Sequence, residues 1–166
     1  GWPVPFDAEG VSRQHTKLIQ GGVVLEPVHN SYTASKEGKL STGHQFGFTG
    51  PPVASNLFMQ TGKSSLEEMI ASTQRGLYIT RFHYTRVVHN KNCVMTGMTR
   101  DGTFLIENGN ISHPVKDLRF TQSYVDALNE VEAVGSESKL MLNEVGFAPK
   151  VPALKIGRFN FTGVTV

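Results

Sequence analysis

The sequence has one cysteine and one tryptophan in 166 residues. A single cysteine excludes an internal disulfide framework and fits a reducing compartment. An excess of charge is also missing: 16 Lys and Arg against 14 Asp and Glu leave a formal charge of +2. That is too little to argue for nucleic acid or an anionic membrane surface as partner. No stretch approaches the roughly 20 apolar residues of a membrane span, and no signal peptide is apparent. The local motifs of common chemistry are absent as well. There is no H-E-x-x-H, C-x-x-C, H-x-E or G-x-S-x-G, and no glycine pattern of a P-loop or dinucleotide fingerprint.

What is present is turn chemistry. Seventeen Gly and eight Pro, many in paired turn signals, favour a strand-and-turn protein over a helical bundle. TKLIQGGVVLEPVH reads as a hairpin around Gly21-Gly22. SYTASKEGK, 31–39, reads as a short helix capped by Ser31, with Gly38 near its end. Residues 40–63 form a long loop, which in a compact domain is functional or mobile. SSLEEMIASTQRG is the best helix: Ser64 and Glu67 have capping-box spacing, Leu66, Met69, Ile70 and Thr73 share one face, and Gly76 ends it. LYITRFHYTRVVH alternates Tyr78, Thr80, Phe82, Tyr84 against Leu77, Ile79, Arg81, His83. With a turn at Asn90-Lys91-Asn92 and the hairpin signal Asn108-Gly109, residues 77–116 predict a four-stranded antiparallel meander. SYVDALNEVEAVG predicts a helix with a stripe of Val125, Leu128 and Val131 or Glu132, ended by Gly135, and LKIGRFNFTGVTV a final strand. The expected fold class is α+β, predominantly antiparallel β, a meander or barrel-like sheet with two or three short helices.

Candidate chemistry centres on the histidines. His83 and His89, six residues apart on a straight strand, are roughly 20 Å apart, whereas two ligands of one zinc must each sit about 2 Å from it. His89 and Cys93 across a hairpin mouth make at most half a site. His83 alone is a candidate substrate contact, and Arg81 beside it shares the strand. In the long loop, Ser41, Thr42, Gly43 and His44 converge as a candidate binding segment, with backbone N–H groups facing a ligand. Asp7 and Glu9 read as an Asx-type turn. No residue is assigned a catalytic role.

Longer phrases carry more. PFDAEGV at 5–11, SYTASKEGKLSTG at 31–43, GPPVASNLFMQTGKSSLEEMIASTQRGLYITRF at 50–82 and DGTFLIENGNISHPVKDLRF at 101–120 resemble, in the same order, the C-terminal domain of the TldD/PmbA family. The resemblance covers nearly the whole chain, so a single domain over 1–166 is expected, as a fragment of a longer chain that here opens without Met. It implies a cytoplasmic metallopeptidase, also described as a modulator of DNA gyrase, acting as a homo- or heterodimer on extended peptide. It further implies that zinc, where a TldD-type subunit holds it, is bound through H-E-x-x-x-H and a cysteine. This sequence contains no H-E-x-x-x-H, and Cys93 does not correspond to that cysteine. No cofactor is therefore expected in this domain, zinc remaining possible in the full assembly, and the closer type is the metal-free PmbA (TldE). The implied role is to form the cavity and bind peptide without catalysis alone. Two alternatives stand beside it: a non-enzymatic interaction module of the gyrase-modulator type, and the C-terminal part of a zinc-binding subunit with ligands upstream.

Overall fold

The computed structural model describes residues 4–141, 147 and 149–164. The chain divides into two compact units, one from the residues up to Met59 together with 139–151, the other from 60–138 and 152 onward. Among the described residues the structure is mostly antiparallel strand with three short helices, the expected class, and its main sheet does not close into a barrel.

In the first unit, β1 (Ile19–Gln20) and β2 (Val23–Val24) pair across Gly21 and Gly22, both at positive φ. Glycine adopts two such residues in succession without strain, which accounts for the turn signal read in the sequence. Helix α1 (Ser31–Lys36) begins one residue earlier than expected: Asn30 is the N-cap, in a reciprocal capping box with Thr33. Gly38, at φ +64°, turns the chain out of the helix. Residues 40–63 contain no strand or helix apart from isolated bridges, such as Gln45 to Pro52. Within this unit the buried groups are largely polar: Asp7, His29, Asn30, Gln45 and Ser55, with Ala34 the buried apolar residue.

The second unit is built on one sheet. Helix α2 (Leu66–Ala71) is capped by Ser65 with Glu68, not by Ser64 with Glu67. Two overlapping S-x-x-E frames exist in SSLEE, and the later one wins. The predicted face holds, with Met69 buried, but the helix ends at Ala71 and Gly76 lies within a strand. That strand is β3 (Arg75–His89), which pairs antiparallel with β4 (Val94–Glu107). β5 (Asn110–Pro114) and β6 (Leu118–Ser123) pair with different stretches of β4. Helix α3 (Tyr124–Asn129) follows, then β7 (Val131–Leu140), β8 (Lys150–Ile156) and β9 (Phe161–Val164). The sheet order is β3-β4-β6-β9, with β5 also on β4, and β7 pairs with β8.

Several expectations change here. The meander has three strands over 75–114, because Asp101-Gly102 is a bulge inside one long β4 and not a turn. β3 is not a regular alternation, since register shifts interrupt it between Ile79 and Arg81, His83 and Arg86, and Val87 and His89. A bulge places two residues opposite one and re-aims the side chains beyond it. Helix α3 stops at Asn129, and its buried residue is Ala127, while Val125 and Leu128 lie half in solvent. The final strand is two, broken at Gly157.

The core explains why the sheet holds. Phe120 is fully buried, and its ring lies 4.6 Å from that of Phe82 and 5.3 Å from that of Phe159, which in turn meets Phe82 and Phe161 at 5.3 Å each. Offset and edge-on ring contacts of this kind add to the burial of area. Gly97 makes room for them: a Cβ there would stand 2.8 Å from the Phe120 ring.

Candidate functional site

Each unit carries one of the predicted segments. In the first, Thr42 clasps the residue before α1's N-cap: its Oγ1 accepts from His29 N at 2.7 Å and donates to His29 O at 3.0 Å. Ser41 Oγ accepts from Gly43 N at 3.2 Å, and Thr42 N donates to His29 O. The N–H groups of Thr42 and Gly43 are thus directed to acceptors within the unit. Gly43 is buried at φ +71°, and a Cβ on it would lie 2.4 Å from Ser12 O.

His44 is held by its own loop. Its Nδ1 lies 2.8 Å from Thr42 O. A carbonyl only accepts, so Nδ1 carries the proton and the neutral ring keeps Nε2 as its acceptor. Burial lowers the His44 pKa, with Arg13's charge acting in the same direction and the bond to Thr42 and the charge of Asp7 opposing. The neutral form with a fixed tautomer is therefore favoured near neutral pH.

Behind this loop stands a buried carboxylate. Asp7 Oδ1 accepts from Glu9 N and Val11 N at 2.9 and 3.0 Å, the expected Asx-type turn. Its Oδ2 accepts from Gln45 N at 2.9 Å. Burial pushes the Asp7 carboxyl up, but the three backbone donors and Arg13 outweigh it, and the net direction is down. Gln45 passes the connection on: Oε1 accepts from Asn30 Nδ2 at 2.6 Å, and Nε2 donates to Gly47 O and Gly50 O. Glu9 Oε2 accepts from the backbone and hydroxyl of Ser31. Gln45 and Asn30 carried no signal in the sequence, because nothing local marks contacts made 15 to 38 residues away.

In the second unit, Arg81 and His83 lie on β3, opposite Arg100 and Met98. Arg81 Nε donates to Asp101 Oδ2. Asp101 adopts φ +65° at the β4 bulge. Arg81 above all, with Arg100 and His83, holds its carboxyl below the usual range, against some desolvation. Past His83 the β3 bulge puts Tyr84 at φ +53°, and the Arg86 guanidinium covers the Tyr84 ring at 4.3 Å. Asp101 escaped the sequence reading because it sat in what looked like a turn.

Register sets how far apart the two histidines of β3 stand. His83 pairs with Met98 and His89 with Val94. Two bulges therefore compress six residues of β3 onto four of β4, or about 13 Å at 3.3 Å per residue. That is shorter than a straight strand gives and still too long for one shared ion. His89 Nδ1 accepts from Asn92 N within the turn. Cys93 is the turn's last residue at φ +47°, so Val94 and not Cys93 stands across from His89. Among the described residues, no three His, Cys, Asp or Glu side chains are grouped to hold a metal. These residues do not fit a zinc ion, and no chemical step is derived through one.

Among the described residues the fold is a mostly antiparallel α+β arrangement, and each of its two units carries one of these polar segments. Comparison with known proteins gives it a family. The model of the "PmbA/TldA metallopeptidase C-terminal domain" matches residues 3–163, and the chain belongs to this PmbA/TldD family as a C-terminal domain. It is similar to the Metalloprotease PmbA of Escherichia coli O157:H7, 28% identical over 154 residues, covering 92% of this chain and 32% of that protein. A "Metalloprotease" of Methanothermobacter thermautotrophicus is 29% identical over 148 residues, 87% of this chain and 32% of its own length. Among solved structures, a candidate modulator of a DNA gyrase from Thermotoga maritima superposes with a TM-score of 0.81 at 28% identity, over 96% of this chain and 35% of the other. TldE from Thermococcus kodakarensis shares the fold with a TM-score of 0.80 at 22% identity, over 97% and 36%. The chain spans about a third of the length of these relatives. No helix among the described residues is long and apolar enough to cross a membrane.

Proposed function

We propose that this domain builds the cavity wall of a PmbA/TldD-type cytoplasmic peptidase assembly, a homo- or heterodimer, and holds extended peptide by strand addition without cleaving it alone. One observation carries the reading. β3, 15 residues long, lies at the end of the strand order and pairs only with β4 among the described residues. An edge of this length presents backbone donors and acceptors to an incoming strand, which supplies affinity independent of sequence. Arg81 and His83 on β3 are the proposed substrate contacts of the second unit. Ser41, Thr42, Gly43 and His44 are those of the first, where the His44 tautomer leaves a ring acceptor for a peptide N–H. Zinc, where an assembly of this family holds it, would supply the hydrolytic chemistry. In this reading its ligands come from outside these residues.

Main-chain pairing has a specific signature. An extended apolar peptide added to the 166-residue chain should protect β3 amides from hydrogen exchange. The same peptide N-methylated at alternate residues should bind at least tenfold more weakly. Equal affinity for both peptides, or protection confined to strands other than β3, would remove the basis for strand addition.

A further inference from the structure

Arg13 carries a buried donor of the first unit that lacks a partner. Its Nη1 donates to Ser55 Oγ at 3.2 Å, but its Nε is buried and has no hydrogen-bond partner. A buried donor left without an acceptor is unfavourable, so an acceptor arriving beside it would be stabilised. Asp7 does not supply it, since its oxygens are engaged by the N–H groups of Glu9, Val11 and Gln45.

The guanidinium belongs to a cleft of about 240 Å³ whose apolar walls are Val4, Phe6, Phe46 and Phe147. Phe46 and Phe147 meet edge-on at 5.5 Å, while Phe6 and Phe46 remain 54% and 44% exposed. Aromatic walls with one under-used polar group are the usual composition of a small-ligand site. The volume suits one large side chain, not a folded partner. A carboxylate is the acceptor that matches a guanidinium best, because two parallel N–H···O bonds can form.

We propose that this cleft binds the apolar C-terminal residue of a peptide, with the side chain between Phe6, Phe46 and Phe147 and the terminal carboxylate on Arg13. The proposal is independent of strand addition at β3, which lies in the other unit and involves none of these residues.

Calorimetric titration of the 166-residue chain tests it. N-acetyl-L-phenylalanine should bind saturably, and N-acetyl-L-phenylalaninamide and N-acetylglycine at least tenfold more weakly. A hexapeptide ending in Phe with a free carboxylate should bind at least as tightly as the single residue, and its C-terminal amide should not. Arg13→Gln should abolish the preference for acid over amide, whereas Ser55→Ala, which keeps the guanidinium, should preserve it. Phe46→Ala changes an exposed wall without touching the charge, and should weaken acid and amide by the same factor. Absence of saturable binding, equal affinity for acid and amide, or acid preference surviving in folded Arg13→Gln would overturn the proposal. So would binding of the single residue but not the hexapeptide. Should Arg13→Gln fail to fold, unaltered affinity in Phe46→Ala would overturn it on its own.

Discussion

Gly43 and Asp7 show how single positions fix the first unit. Gly43 combines φ +71° with an approach to Ser12 O that leaves no room for a Cβ. Gly43→Ala therefore meets both backbone strain and a backbone clash, and should lose about 3 kcal/mol in urea denaturation. Asp7 acts through charge. Its folded pKa lies below its unfolded value, so its stabilisation is fully present above about pH 4 and is lost as pH falls through the folded pKa. Unfolding free energy measured from pH 6 down to pH 2 should decline in that acidic window. Asp7→Asn should lower stability by about 2–3 kcal/mol at pH 7 and flatten the decline. A variant whose acid limb matched the parent's would assign the transition to other carboxylates. The local half of this cluster was legible, because Asp-x-Glu in a Gly-Pro-rich stretch signals an Asx-type turn. Its bond to Gln45, 38 residues on, was not, since no local pattern encodes a long-range backbone donor.

At the level of elements the same contrast recurs. Gly21-Gly22 and Asn108-Gly109 named their hairpins because positive φ at both positions restricts the residues that fit, and Asn108 and Gly109 indeed lie at φ +50° and +78°. The Leu66, Met69, Ile70 face of α2 was legible from its period. Boundaries were less so. SSLEE offers two capping frames, and SYVDALNEVEAVG keeps an apolar rhythm through the point where α3 gives way to β7. The bulges were invisible because strict alternation is what the sequence displays, while the register answers to Phe120 packing under Gly97. That cluster makes a direct prediction. Phe120→Ala, at a fully buried position with three sheet strands around it, should lose about 3–5 kcal/mol and broaden the near-ultraviolet signal. A loss under about 1 kcal/mol would mean that Phe82 and Phe159 collapse into the space, which the ring contacts at 4.6–5.3 Å do not favour.

For the whole molecule, family membership and metal chemistry have to be separated. The relatives bear metalloprotease names, yet this chain is about a third of their length, and three of its six histidines are held by contacts within the fold. His29 is buried beside Thr33 at 3.2 Å, with its Nε2 3.8 Å from Glu37. His44 bonds Thr42 through Nδ1, and His89 accepts from Asn92 through Nδ1. Structural zinc needs about four convergent N or S donors, and the one thiol, Cys93, is exposed at a turn. The 166-residue chain should therefore hold well under one zinc per molecule by elemental analysis after dialysis. Micromolar zinc should not raise its Tm, because a ligand stabilises a fold only by binding the native state more tightly than the unfolded one. His83→Ala should leave both measurements unchanged. One tightly held zinc per chain, lost in His83→Ala, would make this domain a contributor of ligands and turn its role from holding peptide to completing a catalytic centre.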